Sequence, residues 1–186
     1  MRIISGNSRG TKLYTLDGND TRPTLDRVKE PLFSIIGDKV RDSIVLDLFS
    51  GSGALALESI SRGAKSAIVC DNSINAINII KKNINKTHCQ DKIKIIHKDY
   101  KECLASINEK IDIVFIDPPY YLNIATQAVK IILNNQILAK DALIVIETDD
   151  EKRETEEINK LEKIKIIDLR KYGRVKLLFL SQEKRG

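Results

Sequence analysis

From Ile44 onward the chain alternates short, nearly unbroken apolar runs with longer stretches whose apolar residues recur every three or four positions. The runs predict strands at 44–48, 67–71, 93–97, 111–116 and 142–147. The stretches between them predict helices at about 54–62, 73–86, 100–108 and 123–134. In the second of these helices Ile74, Ile77, Ile80, Lys81 and Ile84 fall at helical spacing, with Lys82 and Lys86 outward. Strands alternating with helices build right-handed βαβ units, hence an α/β fold around a parallel sheet. Runs of Ile, Val and Leu without polar alternation agree with a sheet covered on both faces.

The two ends depart from this rhythm. Residues 1–20 hold short apolar pieces separated by Gly6, Gly10 and Gly18, which predicts a small β-hairpin or extended arm. In the stretch that follows, Thr24 is a candidate N-cap, and Val28, Leu32, Ile35 and Ile36 share one face of a helix ending at Gly37. Pro31 interrupts that pattern, so either the helix kinks there or Pro31 opens a new first turn. Residues 151–163 carry five acids and four bases and read as a solvated helix or loop. Ile164–Leu169 and Val175–Leu180 are strands joined by Lys171-Tyr172-Gly173-Arg174, a connection short enough to require an antiparallel pair.

Length and composition narrow the class. A chain of 186 residues suits one domain that buries roughly 70% of its unfolded surface. No apolar run approaches membrane-spanning length and no signal-peptide pattern opens the chain, which predicts a cytoplasmic protein without membrane contact. Cys70, Cys89 and Cys103 are odd in number and lack CxxC spacing, as in a reducing compartment. With only His88 and His97 present, no metal is expected. The net charge is +5, with basic ends flanking a more balanced middle. Residues 1–16 hold Arg2, Arg9 and Lys12 and no acid, and residues 170–186 hold six bases against Glu183. Such ends suit a polyanion, or are simply solvated tails.

The candidate chemistry lies just after the predicted strands. Asp47-Leu48-Phe49-Ser50-Gly51-Ser52-Gly53-Ala54 is a strand end, a glycine bend and a helix start, where free N–H groups and the helix dipole gather. Gly51 through Ala56 fit the relaxed GxGxxA fingerprint, and Asp71, followed by Asn72, comes 20 residues after Gly51, as a ribose ligand should. Asp99-Tyr100 follows the third strand, placed to accept an adenine amino group. Asp117-Pro118-Pro119-Tyr120 follows the fourth. Prolines carry no N–H, so this last turn offers a carboxylate and carbonyl acceptors without competing donors, beside a flat aromatic face. That set suits the exocyclic amino group of a nucleobase. Four acids converging on one sheet edge suit a cationic cofactor such as S-adenosylmethionine and suit a pyrophosphate badly; each one separately is equally a turn or cap residue.

Taken together these elements resemble the RsmD family of ribosomal RNA methyltransferases, and the resemblance runs nearly end to end. It is carried by Arg2-Ile3-Ile4-Ser5-Gly6 with Arg9-Gly10, by Arg22-Pro23-Thr24-Leu25-Asp26-Arg27-Val28-Lys29-Glu30, by Leu46 through Gly53, by Asp117-Pro118-Pro119-Tyr120 and by Lys171-Tyr172-Gly173. Pro31 departs from the pattern, at a position that touches no expected ligand. The resemblance implies a Rossmann-like class I methyltransferase fold, with seven mostly parallel strands, the last antiparallel, and a small N-terminal extension. The division expected is one domain over 1–186, with an RNA-binding arm and helix at 1–40 and a catalytic core at 41–186. It also implies S-adenosylmethionine as cofactor and a guanine N2 amino group of 16S rRNA, in the small subunit or its assembly intermediate, as substrate. A monomer is expected.

On that reading Asp117 and the Pro118 carbonyl accept the two amino N–H bonds, Pro119 stiffens the turn, and Tyr120 stacks on the base. Asp47, Phe49, Gly51, Gly53, Asp71, Asn72, Asp99 and Tyr100 form the cofactor pocket. Arg2, Arg9, Lys12, Arg22 and Arg27 hold RNA phosphates, although Arg27 and Asp26 could equally be a structural pair. The same four-residue turn serves DNA adenine-N6 and cytosine-N4 methylation, and the glycine bend taken alone serves an NAD-dependent oxidoreductase. A non-catalytic RNA-binding module has no use for Asp117.

Overall fold

The computed structural model describes residues 1–16, 24–119 and 124–183, and for 24–27 the backbone alone. Among these residues the strands are β1 (Ile44–Asp47), β2 (Ser66–Asp71), β3 (Ile93–His97), β4 (Ile111–Ile116), β5 (Leu138–Thr148), β6 (Ile164–Tyr172) and β7 (Val175–Gln182). They form one sheet in the order β3-β2-β1-β4-β5-β7-β6. The first five are parallel, and β7 enters antiparallel between β5 and β6. Helices α1 (Thr24–Ile36), α2 (Ala54–Ser61), α3 (Ile74–Thr87), α4 (Tyr100–Ala105), α5 (Ile124–Asn134) and α6 (Glu151–Ile158) complete the fold.

Because successive strand residues face opposite ways, each strand feeds two cores. Val45, Val69, Phe115 and Val145 pack beneath α1, α2, α3 and the arm residues Ile3 and Leu13. Leu46, Ile68, Val114 and Ile144 pack against Leu104 of α4, Val129 of α5 and Ile158 of α6. The three cysteines are buried free thiols. Among the described residues no helix is long and apolar enough to cross a membrane.

Several expectations change. Helix α1 runs unbroken through Pro31. Val28 on one side and Leu32, Phe33 and Ile36 on the other are all buried, which offsets the roughly 3 kcal/mol that an interior proline costs. Ile35 and Ile74, assigned by spacing to buried faces, are 37% and 55% exposed. Helix α4 stops at Ala105 rather than 108, and β5 begins four residues early, where its pairing with β4 shifts register. Helix α6 is charged yet docked, with Glu154 and Ile158 buried and Thr126 donating to Glu154 at 3.0 Å. Within residues 1–16 the pairing is one antiparallel bridge, Arg2 to Lys12. The Thr24 cap and residues 17–20 lie outside what is described.

Candidate active site

Strand β1 lies between β2 and β4, so the bend that follows Asp47 emerges between Asp71 and Asp117. Asp47 is level with Val69 on one side and Phe115 on the other, and neighbouring strands run about 4.8 Å apart. One further ladder bond, Leu48 N–H to the Phe115 carbonyl at 3.1 Å, ties the start of the bend to β4, and Ser50 N–H to the Cys70 carbonyl at 2.9 Å ties it to β2. Gly51 and Gly53 have φ of +54° and +76°, the left-handed region that glycine enters without penalty. A Cβ on Gly51 would meet nothing within 4 Å, so the bend opens onto free space.

Asp47, Asp71 and Asp99 each have a local task. Asp47 is 3% exposed and its Oδ2 accepts from Ala56 N–H at 3.3 Å, inside the first turn of α2. Burial pushes its carboxyl up to about 7, with the Asp71 charge adding to the rise and the Ala56 hydrogen bond opposing it. Asp71 receives Gly51 N–H and Ser73 N–H, both at 2.9 Å, and so holds the bend from below. Asp99 is exposed and caps α4, its Oδ1 accepting from Lys101 N–H at 2.7 Å and Glu102 N–H at 3.0 Å. The exposed Asn72 bonds through its carbonyl to His97 Nε2 at 3.2 Å.

Phe49 and Tyr100 meet with ring centroids 5.5 Å apart, and Tyr100 Oη donates to Gln127 at 2.9 Å. Beyond β4, Pro118 is buried and Pro119 exposed, and both line a crevice of only about 10 Å³ with Glu147, Thr148, Arg153 and Glu154. Tyr120 lies outside the described residues. Glu147, only 7% exposed, escaped the sequence reading, although an acid closing the run Ala142–Ile146 repeats the pattern of Asp47 and Asp117. Among the described residues no cluster of His, Cys, Asp and Glu could hold a metal ion.

The arm is positioned by groups that periodicity does not reveal. Glu58 of α2 is fully buried and accepts from Ile4 N–H at 2.8 Å, Ser5 N–H at 3.0 Å and Arg62 Nε at 2.7 Å. The fully buried Lys29 of α1 lies 3.2 Å from the same carboxylate and donates to the Arg2 carbonyl. The only hint in the sequence was one acid inside a helix whose other residues are apolar or serine. Gly6, at φ +82°, lies so close to α2 that a Cβ would fall 1.7 Å from the Ser61 carbonyl oxygen. Arg2, Arg9 and Lys12 are exposed on this arm. Arg22 and the side chain of Arg27 are outside the described residues.

A strand-end acid before a glycine bend, flanked by two more acids on adjacent strands, belongs to an end-to-end match with known proteins. Residues 1–181 match the family model described as "Conserved hypothetical protein 95". The ribosomal RNA small subunit methyltransferase D of Haemophilus influenzae is 37% identical over 155 residues, 82% of this chain and 80% of that protein. The Escherichia coli protein of the same name is 34% identical over 151 residues, 81% and 76% of the two chains. The structure of a putative methyltransferase from E. coli superimposes with a TM-score of 0.85 at 30% identity, covering 100% of this chain and 99% of that one. The chain belongs to the RsmD family. Its sheet is that of class I methyltransferases. RsmD membership leaves the oxidoreductase alternative without support.

Proposed function

We propose that this RsmD-family protein transfers a methyl group from S-adenosylmethionine to the N2 amino group of a guanine in 16S rRNA, acting in the cytoplasm as a monomer on the small subunit or its assembly intermediate. The observation that carries the reading is the adjacency of the Asp47–Gly53 bend and the Asp117-Pro118-Pro119 turn on neighbouring strands, within a chain 37% identical to a small-subunit rRNA methyltransferase.

The donor set fits a cationic cofactor. Asp47, buried and with its ionisation opposed by burial, gains from a nearby ammonium; Asp71 and Asp99 supply acceptors for hydroxyl and amino groups. The open space over Gly51 admits a ligand against backbone, and the Phe49–Tyr100 pair and Asn72 complete the proposed pocket. The cofactor supplies a methyl group already activated by its sulfonium charge, so the protein's work is alignment, worth up to roughly 7–11 kcal/mol in favourable cases. Asp117 and the Pro118 carbonyl accept the two amino N–H bonds, which favours a pyramidal nitrogen with its lone pair free. Pro119 holds the turn rigid and Tyr120 stacks on the base. Asp117 then takes the proton released. A guanine in a loop or unpaired stretch enters most cheaply, and Arg2, Arg9, Lys12, Arg22 and Arg27 hold phosphates without reading sequence.

Incubating unmodified small subunits with tritiated S-adenosylmethionine and mapping the labelled nucleotide tests this directly, with plasmid DNA as the competing substrate. Label on a guanine N2 is expected, and Asp117→Ala should abolish transfer while cofactor still binds. Label in DNA alone, or full turnover by the variant, would overturn it.

A further inference from the structure

The stretch from Ile74 to Lys101 carries seven lysines against two aspartates, which the overall balance of the middle of the chain conceals. Three of those lysines, Lys81, Lys82 and Lys86, stand exposed on α3, a helix with no acid. Lys82 and Lys86 are four apart, so they share one face, an arrangement that disfavours the helix by roughly 0.2–0.5 kcal/mol. The arm repeats the same conflict. Arg2 and Lys12 face each other across an antiparallel bridge, where like charges also destabilise. Neither pair is neutralised by an ion pair seen among the described residues.

Tyr14 joins the two conflicts into one ridge. Lys12 and Tyr14 are exposed on either side of the buried Leu13, so they share the solvent face of the extended arm. Tyr14 is 49% exposed, and Lys86 Nζ sits 4.6 Å from the centroid of its ring. Tyr14 is held by its backbone, not its ring. Its N–H donates to Asn83 Oδ1 at 2.7 Å, and its carbonyl accepts from Asn83 Nδ2 at 2.9 Å. That same buried amide donates to the Ser52 carbonyl at 2.9 Å, so the ridge adjoins the glycine bend directly.

We propose that Arg2, Lys12, Tyr14, Lys86 and Lys82 form the track for a single-stranded RNA segment flanking the methylated nucleotide, with Tyr14 as a stacking platform for an unpaired base. This rests on the function proposed above, which already gives Arg2 and Lys12 to the RNA, and adds Tyr14, Lys82 and Lys86 to its contacts. Four cations along one edge match a polyanion, and the costs of their mutual repulsion are removed when phosphates lie between them. Lys86 occupies the ring face in the free protein and moves to a phosphate when a base takes its place.

The test measures binding of a short single-stranded RNA across a salt series, together with KM and kcat on small subunits. Tyr14→Ala should weaken RNA binding about 5- to 160-fold, the range for losing one base stack, whereas Tyr14→Phe keeps the ring and keeps the affinity. Lys82→Ala with Lys86→Ala should flatten the logarithmic salt slope by about 1.4, two single-strand phosphate contacts. KM should rise with kcat nearly unchanged, and cofactor affinity should match that of the unaltered protein. Equal RNA affinity and salt slope in an unaltered protein that methylates small subunits and in these variants would sink the track and leave the proposed function standing. Absence of methyl transfer by the unaltered protein would remove both.

Discussion

The carboxyl edge of the sheet and the N-terminal arm carry the two halves of the proposed chemistry, and they are held by opposite means. At the edge, Asp47, Asp71 and Asp117 are delivered by strand register, a repeating backbone ladder shared among many residues. The arm has one isolated bridge of its own and is fixed mainly by buried polar anchors, Glu58 and Ser61 of α2 and Asn83 of α3. A ladder tolerates the loss of any one side chain. A hub does not.

Removing the hub should therefore have the largest effect. Glu58→Ala removes the carboxylate that faces the buried Lys29 ammonium and the acceptor of two backbone N–H groups, and should cost about 3–5 kcal/mol in urea unfolding. Amide exchange at Ile4 and Ser5 should accelerate with it; a loss below about 1 kcal/mol would mean that the arm is held elsewhere.

Asp47 probes the edge through pH. Its folded carboxyl titrates at about 7 against an ordinary 3.8, so the folded state holds a proton that the unfolded chain has released. The stability this contributes is complete below about pH 4 and drains away as pH rises to 7, by roughly 1.4 kcal/mol per unit. Across pH 5 to 7, Asp47→Asn should narrow that decline by up to about 2–3 kcal/mol in paired melts. Cofactor binding should run the other way, because an ammonium needs the ionised form. Calorimetry should show affinity falling as pH drops below 7 in the unaltered protein, and weak, flat binding in the variant.

A smaller effect is expected from Gly6→Ala, where left-handed backbone and the Ser61 carbonyl both resist a methyl group. It should destabilise by more than about 1 kcal/mol and weaken RNA binding while leaving cofactor binding intact. Smallest is Asp112→Ala, which removes the 2.8 Å acceptor for Ile44 N–H at the start of β1. About 1 kcal/mol is expected, without change in KM for RNA, as the ladder carries the remaining load.

The sequence alone determined the alternation of strands and helices, the glycine bend and the acids that close the strands. These are local signals: burial imposes a period of two or 3.6 residues, and a polar residue ending an apolar run marks the sheet edge. Tertiary structure decided what depends on distant partners. It carried α1 through Pro31 because packing on both sides outweighs one lost hydrogen bond, and it left Ile74 in solvent despite its spacing. It set β7 between β5 and β6, and brought Glu58 against residues 54 positions away. Tyr14 beside Lys86 is of the same kind. No periodicity encodes such meetings, because a buried charge or an exposed ring finds its neighbours only once the chain has closed around them.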